Sequence, residues 1–183
     1  LNYAKLSYEI GNPYKSTPEV LTDFLERYPK SAFKIEVETL LIDSYISSNN
    51  FKEALELLEK KSRAAHKEAY QKVTFYRALE LYNSAKYLGA KELLERSLST
   101  SVISVFMARA TYWKAETDYQ LSNFKEALEG FLDFKNTIKS QQLEEFENIE
   151  YNLAYTYFKQ KQYALAIKSF QSFLDTKPKN LIL

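Results

Sequence analysis

Four segments of the chain share one arrangement of apolar positions. An aromatic residue opens each, a small residue follows three positions later, and a bulky apolar residue stands four beyond that. The sets are Phe51, Ala54 and Leu58; Tyr87, Ala90 and Leu94; Phe124, Ala127 and Phe131; and Tyr163, Ala166 and Phe170. Offsets of three and seven put each trio on one face of an α-helix. The aromatics recur after 36, 37 and 39 residues, and the heptapeptide NFKEALE occurs identically at 50–56 and 123–129. A near-constant period of this size is the signature of a repeat architecture.

Each segment has a partner upstream. Nine residues before the aromatic stand Ile42, Ala78, Ala115 and Ala154, and six before it stand Tyr45, Leu81, Asp118 and Tyr157. A small residue facing a small residue lets two helix axes approach near the short end of the usual range of about 8–10 Å. The pattern therefore predicts antiparallel helix pairs. It places helices at 2–10, 17–28, 32–47, 51–62, 67–84, 87–98, 102–121, 124–138, 143–160 and 163–176. Asn50 with Glu53, and Asn123 with Glu126, read as N-caps with a capping-box acid three residues on. Thr17 reads as an N-cap with Pro18 at the first helical position. Pro29 and Pro178 stand where second helices stop.

Composition narrows the class. The 183 residues are 45% apolar, enough to bury a core, while 3 Gly and 4 Pro are too few for the turns of a many-stranded β fold. Charge is balanced at 25 basic against 24 acidic residues. That balance argues against a phosphate-binding surface and hence against nucleic acid as partner. With no Cys there is no disulfide and no thiolate chemistry. No apolar run reaches the length of about 18 residues that a membrane span needs.

Candidate chemistry is sparse. His66 is the only histidine, so no His-rich metal site exists, and it reads as a surface residue near a helix start. Glu144, Glu145, Glu147 and Glu150 cluster where acids in a first helical turn complement the helix dipole. Lys52, Lys60, Lys61, Lys159, Lys161, Lys177 and Lys179 read as a solvated face. Gly11, Gly89 and Gly130 are isolated, so no phosphate loop is present. No nucleophile and base pair, metal set or cofactor loop emerges. The chain reads as neither an enzyme nor a cofactor carrier.

On these residues the chain resembles the tetratricopeptide repeat family. The strongest match is YNLAYTYFKQKQYALAIKSFQSFLDTKPKN, with Leu153, Ala154, Tyr157, Tyr163, Ala166, Phe170 and Pro178 at the signature positions. The resemblance implies an all-α fold of about five antiparallel helix hairpins stacked in a right-handed superhelix. As a single array over 1–183, its units fall at about 1–30, 31–66, 67–101, 102–140 and 141–180. FLERYPKS at 24–31 resembles repeats of bacterial cell-envelope proteins of this family, which implies the envelope as location. The units run longer than the family period of about 34. Arg77 and Lys114 replace an expected Leu and Asp118 an expected aromatic, which leaves the register of those helices open by a residue. A HEAT-like array, with its period of about 40–47, is the competing fold. Residues 1–10 are short for a first helix, and 178–183 read as the start of a further repeat. Both ends thus predict a segment of a longer array, able to self-associate through exposed stacking faces.

The family's groove-facing positions fall on the first helix of each hairpin. Carried over, they are Thr39, Asp43 and Ile46; Phe75, Leu79 and Tyr82; Tyr112, Glu116 and Tyr119; and Tyr151, Tyr155 and Phe158. Each trio is spaced i, i+4, i+7 and so shares a helical face. Seven of the twelve are aromatic, the residue type that anchors interfaces with large buried area and little entropy loss. The Lys and Asn clamp by which some relatives grip a terminal carboxylate is absent, since Asp43, Glu116 and aromatics occupy those positions. The implied function is a scaffold that binds a partner peptide or helix in an aromatic-lined concave groove. An intramolecular regulatory or oligomerisation module is the alternative, and single-stranded RNA binding, disfavoured by the neutral charge, a third.

Overall fold

The computed structural model describes residues 2–10, 15–61 and 65–176. Among them the chain forms ten α-helices and two 3₁₀ helices. In order these are α1 (Asn2–Ile10), α2 (Thr17–Arg27), α3 (Lys34–Ser47), α4 (Phe51–Lys61), α5 (Lys67–Asn83) and α6 (Tyr87–Thr100). There follow α7 (Ser104–Gln120), α8 (Phe124–Asn136), the 3₁₀ segments Ile138–Gln142 and Glu144–Asn148, α9 (Ile149–Lys159) and α10 (Tyr163–Thr176). Two compact units divide the chain inside α5, between Val73 and Thr74.

The first unit has two apolar clusters. Val20, Leu21 and Leu25 of α2 pack with Val37 and Leu41 of α3. Ile42 of α3, Ala54 and Leu58 of α4, and Tyr70 and Val73 of α5 form the other. The second unit centres on Ala108, Tyr112 and Ala115 of α7, Ala127, Phe131 and Phe134 of α8, and Ile149 and Leu153 of α9. All eight small-pair positions, Ile42 with Ala54, Ala78 with Ala90, Ala115 with Ala127 and Ala154 with Ala166, are buried. Between α7 and α8 the approach is close at Gly130. A Cβ built there would stand 2.9 Å from the Ala115 Cβ, so no side chain fits without parting the helices.

One turn geometry closes four hairpins. Asn49, Ala85, Ser122 and Lys161 all have positive φ, between 56° and 63°. Around each, the next residue's amide donates five residues back, in Asn50 to Tyr45, Lys86 to Leu81, Asn123 to Asp118 and Gln162 to Tyr157, at 2.8–2.9 Å. The left-handed residue's own amide donates three residues back. This is the Schellman arrangement, which satisfies the last carbonyls of a helix. It occurs four times without a glycine at the left-handed position.

Three local expectations are corrected. The N-cap of α2 is Ser16, not Thr17: its amide and hydroxyl both donate 2.7 Å to Glu19 Oε2, and Pro18 sits one position further in. Asn123 makes no side-chain cap, because its amide donates 3.2 Å to the buried Asp118 instead. The helix expected over 143–160 begins at Ile149. Before it the chain runs through two 3₁₀ turns that tuck Ser140 and Glu145 inside. The stop at Pro178 and the following repeat lie outside the described residues.

Candidate functional site

Two carboxylates form buried ion-pair centres in the second unit, and the first gathers Lys114 and Asp118, the polar residues that stood out of register in α7. Asp118 is fully buried and accepts from Lys91 of α6 at 2.6 Å and from Lys114 at 2.8 Å. Burial alone would raise its carboxyl. The hydrogen bonds from Lys114, Lys91 and Asn123 overcome that and hold it below the usual carboxylate range. Glu145 accepts from Arg109 Nε at 2.7 Å and from Trp113 Nε1 at 3.1 Å. The Arg109 guanidinium also lies 5.0 Å from the Phe75 ring centroid. Lys135 pairs with Glu150. The acidic cluster of 144–150 is thus half consumed in packing α9 on its neighbours, and no group of described residues could hold a metal ion.

The aromatic ladder runs along the first helices. Tyr82, Tyr119 and Phe158 each meet the aromatic that opens the following helix: Tyr87 at 5.4 Å, Phe124 at 5.4 Å and Tyr163 at 5.8 Å between centroids. Interplanar angles of 62–66° make all three edge contacts, the favoured aromatic geometry. Tyr82 also meets Trp113 at 5.2 Å, which ties α5 to α7. On α9 the rings of Tyr151 and Tyr155 lie 4.7 Å apart and rest on Phe173 and Phe170 of α10.

The twelve expected groove positions separate into three groups. Phe75 and Tyr112 are core residues, at 0% and 5% exposure. Thr39, Asp43, Ile46, Leu79, Tyr82, Glu116 and Tyr119 are half-buried. Among these, Thr39 donates to the Ile35 carbonyl of its own helix and Ile46 packs on the first unit's core. Tyr151, Tyr155 and Phe158 are exposed, at 42%, 38% and 52%.

Glu116 is the polar centre of this face. Asn152 of α9 donates to its Oε1 and, at 2.8 Å, to the Tyr112 hydroxyl. Tyr82 of α5 donates 3.4 Å to Oε2 and accepts from Gln120 at 3.5 Å. Burial pushes the Glu116 carboxyl up, and the tyrosine hydroxyls only partly offset it. Burial and the Glu116 charge in turn push Tyr82 up to about 12 and raise Tyr112 further. A pocket of about 280 Å³ opens on this carboxylate. Glu116, Tyr119 and Gln120 of α7, Phe131 of α8, and Tyr151, Asn152 and Tyr155 of α9 line it. Asn152, which joins α7 to α9, was missed by the sequence reading. Its one signal is that it is the only side-chain amide in α9, next to Tyr151.

No helix among the described residues is long and apolar enough to cross a membrane. No protein-family model and no curated protein sequence matches the chain. Solved structures do. MamA aligns over 95% of this chain and 91% of its own, at 15% identity and a TM-score of 0.60. BtubC (BKLC) from P. vanneervenii aligns over 100% and 75%, at 15% and 0.56. The nearly identical TPR-like repeats of a candidate kinesin light chain from Podosopora anserina align over 100% and 95%, at 16% and 0.52. Identity this low speaks to architecture alone. Paired helices, small residues at the crossings and these three likenesses agree, and the chain has the all-α hairpin fold of the tetratricopeptide repeat proteins.

Proposed function

We propose that this chain is a protein-interaction scaffold that holds a partner peptide or helix against the aromatic face of its second unit. The observation that carries the reading is the exposure of Tyr151, Tyr155 and Phe158 on one face of α9, beside a pocket. Large rings at i, i+4 and i+7 suit the apolar face of a helix or the alternate side chains of an extended peptide. They are already held by neighbouring rings, so little entropy is lost when a partner covers them. Tyr82, Tyr119 and Glu116 extend the same face onto α5 and α7. The reading assigns the chain no reaction.

Affinity capture tests it. The native chain and a Tyr151→Ala/Tyr155→Ala variant, checked by circular dichroism, serve as baits in the native cell extract. A protein retained by the first and lost by the second supports the aromatic face. Equal retention moves the binding surface elsewhere and overturns it. Tyr112 is left intact, because its removal would open the core.

A further inference from the structure

We propose that the pocket on Glu116 receives an arginine side chain of the partner, its guanidinium on the carboxylate and its flat faces against the tyrosine rings of the walls. This rests on the reading of the second-unit face as a partner-binding surface and names what that surface selects.

Three observations converge. The first is charge. Every other buried or half-buried acid described on α7 and the adjoining 3₁₀ turn has its cation: Asp118 has Lys91 and Lys114, and Glu145 has Arg109. Among the described residues, no Lys or Arg pairs with Glu116; its partners are neutral, namely Asn152 and the hydroxyls of Tyr82 and Tyr112. A carboxylate offers about four acceptor sites. Three neutral donors leave room for an incoming N–H, and the charge stays uncompensated.

The second is the wall chemistry. Tyr119, Tyr151 and Tyr155 line the pocket, and each carries an aromatic face. A cation over such a face gains electrostatic attraction, most often as guanidinium. Guanidinium is planar, stacks on rings and is more weakly hydrated than ammonium, so a half-buried site strips its water at smaller cost. The third is size. At about 280 Å³ the pocket falls at the lower edge of small-molecule sites, which run from about 300 to 1,000 Å³. It has room for one long side chain.

The test is an NMR titration of the full chain with N-acetyl-arginine methylamide, N-acetyl-citrulline methylamide and N-acetyl-lysine methylamide. The signals read are the Glu116 carboxyl carbon and the rings of Tyr151 and Tyr155. Citrulline keeps the shape of arginine without its charge. Saturable shifts with the arginine probe are expected, with citrulline weaker by about tenfold or more and the same loss in a Glu116→Gln variant. Unmoved signals, equal shifts by arginine and citrulline, or an unweakened Glu116→Gln variant would each overturn the pocket. Equal binding of the lysine probe would overturn the guanidinium. If the probes ignore Glu116 while partner capture still depends on Tyr151 and Tyr155, the pocket falls and the aromatic face stands.

Discussion

Lys91 of α6 places its ammonium 2.6 Å from Asp118 Oδ1 of α7 and so joins one hairpin to the next. Tyr45, Leu81 and Tyr157 stand at the equivalent positions. This crossing therefore uses a buried ion pair where the others use apolar bulk. Removing one partner from such a site leaves an uncompensated buried charge or buried acceptors without donors.

Asp118→Ala is accordingly expected to lose about 3 kcal/mol of unfolding free energy, and Lys91→Ala, with Lys114 still in place, about 1 kcal/mol. Urea unfolding measures both. The pH dependence has a definite sign. The Asp118 carboxyl is held low in the folded chain, so its contribution is present above the ordinary aspartate range and is lost as pH falls through the folded value. The gap between the native chain and Asp118→Asn should narrow on acidification below about pH 4. A gap independent of pH would remove the ion pair from the account.

How legible this was depended on the residue. The small and aromatic positions spaced by a repeat were readable because close helix crossings tolerate few side chains. Asp118 and Lys114 are linked by the i, i+4 rule, but Lys91 lies a helix away, so the burial of the pair showed only as a departure from the repeat pattern. Asn123 looked like a cap because Asn, followed by an acid at the third position, has that local preference. A buried carboxylate competed for its amide and won. The late start of α9 was hidden for a similar reason: Glu145 is drawn inward to Arg109 and Trp113, a tertiary pull that local propensity does not carry. On the candidate face the i, i+4, i+7 rule sorts residues only by the side of the helix they share. It could not separate Tyr112, whose ring contacts Phe131 and Phe134, from Tyr151, whose neighbours leave it open.

The two helical glycines among the described residues, Gly89 and Gly130, should respond to alanine with opposite signs. At Gly130 the new methyl meets the Ala115 Cβ at 2.9 Å, a group that cannot rotate away. Overpacking of about 1–3 kcal/mol outweighs a helix-propensity gain of about 1 kcal/mol, so Gly130→Ala should destabilise by about 1 kcal/mol. At Gly89 the nearest atom is the Leu81 Cδ1 at 3.2 Å, the end of a flexible side chain. There the propensity gain should prevail, and the melting temperature should rise. Two shifts of the same sign would mean that the α7–α8 approach is less constrained than Gly130 indicates.

The four Schellman turns make a graded set. A non-glycine residue in the left-handed region carries strain of about 1–2 kcal/mol, which Asn relieves locally and Gly avoids at some entropic cost. Ala85→Gly is therefore expected to stabilise by about 0.5 kcal/mol, while Asn49→Gly stays near neutral. Urea midpoints compare them directly, and equal effects at the two sites would argue that the turns are held by side-chain contacts instead.

Glu116 sets the opposite pH signature to Asp118. Its folded carboxyl is raised by burial, so its contribution is fully present below the ordinary glutamate range and is lost as pH rises through the folded value. Glutamine preserves the acceptor for Asn152 and offers Tyr82 a donor without the charge. Glu116→Gln should therefore be more stable than the native chain at about pH 7 and indistinguishable from it at about pH 4. Stability forgone for a charge with no cation among the described residues is what a site built for an external cation would show. The same variant should lose the arginine probe, so gain in melting temperature and loss of binding are expected together. A glutamine variant no more stable than the native chain at neutral pH would mean that Tyr82, Tyr112 and Asn152 already satisfy the carboxylate, and the case for a waiting cation would lose its thermodynamic half.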